Sequence, residues 1–82
     1  MPDIPPHPHL LALGRRIKHL RLEKGYKQKR LAEHIGIDRS YIGGVERGER
    51  NPGIVNLVRI AMALEVEVGD LFPPVTSLSS ES

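Results

Sequence analysis

The sequence predicts an all-α fold, a compact single domain of five helices, and three observations carry that expectation. Apolar residues recur at helical spacing, glycines punctuate the ends of those runs, and no stretch alternates at period two for long enough to make a strand. "LEVEVGD", residues 64–70, is the only strand candidate.

Leu10, Leu13, Ile17 and Leu20 fall at i, i+3, i+7 and i+10, a single-face stripe that predicts a first helix over residues 10–24, stopped at Gly25. A second short helix fits 28–35, with Leu31, Ala32 and Ile35 inward and Gly36 ending it. The third fits 39–47, with Asp38 as N-cap, Ile42 and Val45 inward, and Gly48 as its stop. Leu57, Ile60, Ala61 and Leu64 mark a fourth over 54–64, and a last helical turn or two covers 68–72 before Pro73. Residues 1–9 hold four prolines and 73–82 are rich in Pro and then Ser, so both are expected to be flexible tails around a domain at 10–72.

Eighty-two residues bury only about 60 per cent of the surface their unfolded chain exposes, which leaves little room for an enclosed catalytic cleft. With no cysteine, neither a disulfide nor a thiolate metal site can staple the core. No window approaches a membrane-spanning apolar run, and "MPDIPPHPH" lacks the features of a signal peptide, so a cytoplasmic protein with no membrane partner is expected.

Charge is distributed unevenly. Residues 15–50 carry eleven Lys and Arg against five acids, a surplus of six, while the whole chain has a net charge of only +2. A basic centre with acidic flanks points to a polyanion partner, and the plainer alternative is a solvated surface of mixed charge.

The most informative stretch is 28–47. Two short helices meeting across a three-residue turn need a small residue where they approach, which Ala32 supplies, and a residue at ease in the left-handed region, which Gly36 supplies. Ile37, Ile42 and Val45 then anchor the turn and second helix, leaving that helix's other face proud of the surface. This is a helix-turn-helix whose second helix is shaped for a major groove.

The runs "LGRRIKHLRLEKGYKQKRLAEHIGI", "DRSYIGGVERGERNP" and "LVRIAMALEVEVGDLF" resemble the lambda-repressor-like (Xre/Cro type) helix-turn-helix transcriptional regulators over residues 13–72. The resemblance implies sequence-specific binding of double-stranded DNA. It places Arg39, Ser40 and Tyr41 in the base-reading turn, with Gly43 and Gly44 at two further groove-facing positions. Gln28 matches a glutamine that grips a phosphate at a helix N-terminus. Lys27, Lys29 and Arg30 stand beside it, one of them expected to touch phosphate, and Arg50 and Asn51 match positions along the DNA backbone. Arg21 and Glu46 match a structural ion pair between the first and third helices.

Other readings of these residues stay open. Gln28 can simply cap its helix, Tyr41 can pack its ring on the surface of the second helix, and Arg39 can be a solvated charge. The paired glycines each cost roughly 0.5 to 1 kcal/mol in a helix. They either let the helix sit deeper, clear space for Tyr41 and Arg39, or have no role.

His7, His9, His19 and His34 are too dispersed for a metal site, and no cofactor is expected. No phosphate loop or catalytic constellation points to an enzyme. The serious rival is an antitoxin or co-regulator that holds a protein partner. Because one helix offers only three or four base contacts, a homodimer on a palindromic operator is expected. Its interface should draw on Val66, Val68, Leu71, Phe72 and Val75, near the acidic end of the chain.

Overall fold

Four α-helices and one closing 3₁₀ turn make up residues 7–73, the part of the chain described by a computed structural model. The helices are α1 (Pro8–Glu23), α2 (Gln28–Ile35), α3 (Arg39–Glu46) and α4 (Gly53–Leu64), and the turn is Val68–Leu71. No strand forms among the described residues. The fifth helix expected over 68–72 is therefore corrected to a single 3₁₀ turn. Glu67 and Asp70 close the turn on themselves, the Glu67 N–H donating to Asp70 Oδ2 at 3.0 Å, and the backbone is already extended at Phe72, with φ −111° and ψ 138°.

Helix α1 starts two residues before its expected boundary. Pro8 occupies the first turn, where its fixed φ is already helical, and His7 caps the helix by accepting the His9 N–H on Nδ1 at 3.1 Å. A histidine weighed as a metal ligand serves here as an N-cap. Residues 1–6 and 74–82, including Val75 and most of the two expected tails, lie outside the described residues.

The turn between α2 and α3 is three residues, Gly36 to Asp38. Gly36 sits at φ 72°, a left-handed conformation that a side chain makes costly, and this lets Ile37 donate back to the Ala32 carbonyl at 3.0 Å. Asp38 then starts α3 by accepting the Ser40 N–H at 2.9 Å.

Ile17, Leu31, Ile42, Ile60 and Leu71, one from each segment, are fully buried and meet in a common core. Burying such a side chain is worth roughly 1.5–3 kcal/mol, so each short element is held mainly by one anchor and its neighbours. Gly14 is also buried, because α1 lies directly on the end of α3. A methyl group there would stand 2.4 Å from the Val45 carbonyl oxygen and 2.5 Å from that of Glu46. Arg16 ties the closing turn to α1 through the Asp70 carbonyl at 2.8 Å, and Lys24 pairs with Glu65 at the far ends of α1 and α4.

Leu71, expected at a dimer interface, is instead one of the core anchors. It is 0 % exposed, so no partner can reach it. Val66 and Val68 are half-buried against the same core, and of the expected set only Phe72 is exposed among the described residues.

Candidate nucleic-acid interface

The N-terminal turn of α3 stands out from the surface beside the start of α2. Arg39 and Ser40 are exposed there, Lys27 is exposed just before α2 and Lys29 on it, and Arg47, Arg50 and Asn51 are exposed beyond the C-terminal end of α3. No side chain caps the first turn of α2, since Lys27 at the cap position has no acceptor to offer. The amides of that turn are left without a side-chain acceptor, and an anion is favoured at such a helix start.

Arg39, Gln28, Glu46 and Arg21 are joined in one chain of hydrogen bonds. Arg39 Nη1 donates to Gln28 Oε1 at 3.2 Å, and Gln28 Nε2 donates to Glu46 Oε1 at 3.0 Å. Arg21 grips the same carboxylate in a bidentate pair, Nε to Oε2 at 2.6 Å and Nη2 to Oε1 at 3.0 Å. Its remaining arm, Nη1, donates to the Tyr26 carbonyl at 2.6 Å. The Arg21 and Glu46 side chains are only 6 % and 3 % exposed. No buried side-chain nitrogen or oxygen among the described residues is left without a partner.

Ser40 and Tyr41 are each committed to contacts within the protein. The Ser40 hydroxyl donates to the Asp38 carboxylate, so it presents only lone pairs outward. That bond, and next the Ser40 backbone N–H, hold Asp38 below the ordinary carboxylate pKa. The Tyr41 hydroxyl donates to the Pro52 carbonyl at 3.3 Å and accepts from Asn56 Nδ2 at 3.2 Å. Tyr41 therefore braces α3 against the following loop and α4. Its partner Asn56 carries no signal in the sequence, because the contact exists only once α3 and α4 are folded together.

The expectation that Gly43 and Gly44 present bare backbone to the groove is corrected. Both are buried, covered by long side chains folded back over the helix. A methyl group on Gly44 would meet Arg50 Cγ at 3.0 Å, and one on Gly43 would meet Arg47 Nη1 at 3.0 Å and Gln28 Oε1 at 3.6 Å. The missing side chains make seats for arginines. Arg50 lies with its stem on Gly44 and its guanidinium 5.5 Å from the centre of the Tyr41 ring. Arg30, by contrast, stacks over Tyr26 at 5.0 Å, and Tyr26 in turn stacks on His34 at 5.3 Å.

A second surface feature was missed from the sequence. Ile54, Val55, Val58 and Met62 are exposed along the outer face of α4, Met62 by 72 %. Their i, i+1, i+4, i+8 spacing is a readable stripe, overlooked because the inward stripe of Leu57, Ile60, Ala61 and Leu64 already accounted for the helix. No helix among the described residues is long and apolar enough to cross a membrane.

A family model described as helix-turn-helix matches residues 17–71. The HTH-type transcriptional regulator SinR of Bacillus subtilis is 42 % identical over 60 residues, covering 72 % of this chain and 54 % of SinR. The chain spans about half the length of the first curated relatives it matches. The crystal structure of the restriction-modification controller protein C.AhdI from Aeromonas hydrophila superposes with a TM-score of 0.79 at 47 % identity, covering 80 % of this chain and all of that one. The controller protein C.Esp1396I, solved as a tetramer with its natural 35-base-pair operator, gives 0.72 at 40 % identity over 79 % of this chain and 86 % of that one.

Proposed function

The chain belongs to the Xre, lambda-repressor-like family of helix-turn-helix regulators, whose members are DNA-binding regulators of transcription, and from that premise we propose that it binds a palindromic operator in duplex DNA as a homodimer. The observation that carries the reading is the exposed first turn of α3, with Arg39 held outward by Gln28 in a rim of Lys27, Lys29, Arg50 and Asn51. Arg39 can bond guanine O6 and N7 bidentately, which is worth about 1–3 kcal/mol of discrimination against a wrong base. The free amides of the first turn of α2 take a phosphate, joined by the Nε2 hydrogen of Gln28 that Glu46 does not use, and Lys27, Lys29, Arg50 and Asn51 take others along the backbone. The operator-bound tetramer of C.Esp1396I supports the same mode for a related chain.

Ser40 takes part as an acceptor, suited to a base amino group. Tyr41, with its hydroxyl committed to Pro52 and Asn56, serves chiefly to place Arg50 and the loop.

The dimer interface moves from the C-terminal end of the domain to α4. Leu71 is buried in its own core, whereas the outer stripe of Ile54, Val55, Val58 and Met62 is an apolar face in want of a partner. Two copies joined there would present two recognition helices to half-sites one DNA turn, about 34 Å, apart.

Titration of the chain against a duplex tests the electrostatic half of the reading. If the rim makes six to ten phosphate contacts, affinity should fall by roughly 10³ to 10⁵ between about 50 and about 200 mM salt. A protein-binding role centred on apolar anchors would leave DNA affinity weak at every salt concentration.

A further inference from the structure

We infer that Glu46 is a positioning residue for base reading: its buried carboxylate sets the orientation of the Gln28 amide, and the oxygen of that amide holds Arg39 in its reading pose. The inference rests on the reading that Arg39 meets base edges, and it gives the buried pair a role beyond holding α1 to α3.

The chemistry of the chain of bonds is directional. An ionised carboxylate only accepts and a guanidinium only donates, whereas a primary amide does one at each end. Glu46 is fixed from behind by the bidentate grip of Arg21, which is itself anchored to the Tyr26 carbonyl at 2.6 Å. Gln28 must then turn its nitrogen inward to Glu46, at 3.0 Å, and its oxygen outward. Among the described residues, that oxygen is the one hydrogen-bond acceptor Arg39 meets, at 3.2 Å. The opposite amide orientation would set oxygen against carboxylate and N–H against guanidinium, two mismatches at once. Polarity thus passes outward from the core to the surface of α3.

The bond engages Nη1 of Arg39 and leaves the other donors of its fork for a base. Because the side chain is oriented before DNA arrives, less of its freedom is lost on binding. Releasing it should weaken the guanine contact roughly three- to tenfold, the equivalent of ordering one long side chain.

The test uses equilibrium binding of the whole chain to the duplex it selects from a randomised pool, and to single-base-pair variants of that duplex. Arg39→Ala identifies the base pair that Arg39 reads. Gln28→Met keeps the length of the side chain but can bond neither neighbour. It should lower discrimination at that base pair roughly three- to tenfold, beyond any uniform loss from the missing phosphate contact. In the Arg39→Ala background it should lower discrimination no further. Glu46→Gln, which allows either amide orientation, should act in the same direction, and Gln28→Met carries the test alone if that variant does not fold. Uniform loss in Gln28→Met with discrimination intact at the Arg39 base pair would overturn the relay and leave base reading standing. Unchanged discrimination at every base pair in Arg39→Ala would overturn base reading itself, and the relay with it.

Discussion

Glycine-to-alanine changes at two buried positions should move stability in opposite directions. At Gly14 the new methyl meets main-chain oxygens of α3 at 2.4 and 2.5 Å, and backbone cannot give way without separating two helices. Overpacking of this kind costs about 1–3 kcal/mol, or more. At Gly43 the nearest atom, 3.0 Å away, is the mobile end of Arg47, so the usual helix gain of about 0.5–1 kcal/mol should survive. Thermal melts followed by circular dichroism should show Gly14→Ala well below and Gly43→Ala slightly above the parent, each kcal/mol being about 4–8 °C in a domain of this size. Glu46→Ala removes one member of a pair that is almost wholly buried and strands Arg21, which costs about 3–5 kcal/mol. An unchanged melting temperature there would remove the pair from the account. The pairing of Arg21 with Glu46 was suggested by resemblance, but the bridging role of Gln28 was not legible. It depends on the side-chain geometry of residues 18 positions apart, and a sequence does not carry that.

Helix α3 depends on its cap more than a longer helix would, since only eight residues propagate from it. Asp38 has its pKa lowered by the Ser40 hydroxyl first and the Ser40 N–H second. A depressed carboxylate stabilises the fold at pH above its unfolded value, about 3.9, and the contribution is lost as pH falls through the lower folded value. Asp38→Asn caps without titrating, so between about pH 6 and about pH 3 its melting temperature should fall less than that of the parent. Equal falls would mean that the cap contributes no acid sensitivity. At this scale much was legible: α2, the turn and α3 follow from Gly36, Asp38 and the spacing of Leu31, Ile42 and Val45, all of them local signals. The start of α1 was missed because Pro8 reads as part of a proline-rich tail, although proline suits a first helical turn. The closing segment was overestimated because apolar spacing does not distinguish one 3₁₀ turn from a short helix.

Across the whole molecule, charge and apolar surface divide the labour. The basic surplus lies within residues 15–50, which include α2 and α3, and the acidic residues Glu65, Glu67 and Asp70 lie toward the other end of the chain. The exposed stripe on α4 is the surface proposed for self-association, and Val55→Glu, at a position 61 % exposed, should cost the fold little. Sedimentation at micromolar concentration should then show the parent as a dimer and the variant as a monomer with a near-parent melting temperature. A parent that sediments as a monomer both alone and on DNA would remove the dimer from the account. Leu71 was misplaced from the sequence because an apolar residue near the C-terminal end looks the same whether it anchors the core, as Leu71 does, or faces outward, as Phe72 does. Selection of duplexes from a randomised pool by the chain decides whether it reads DNA sequence as a dimer. The account predicts an enriched palindrome with half-sites about 34 Å apart, and a pool that stays random while the folded protein is present at saturating concentration would contradict it.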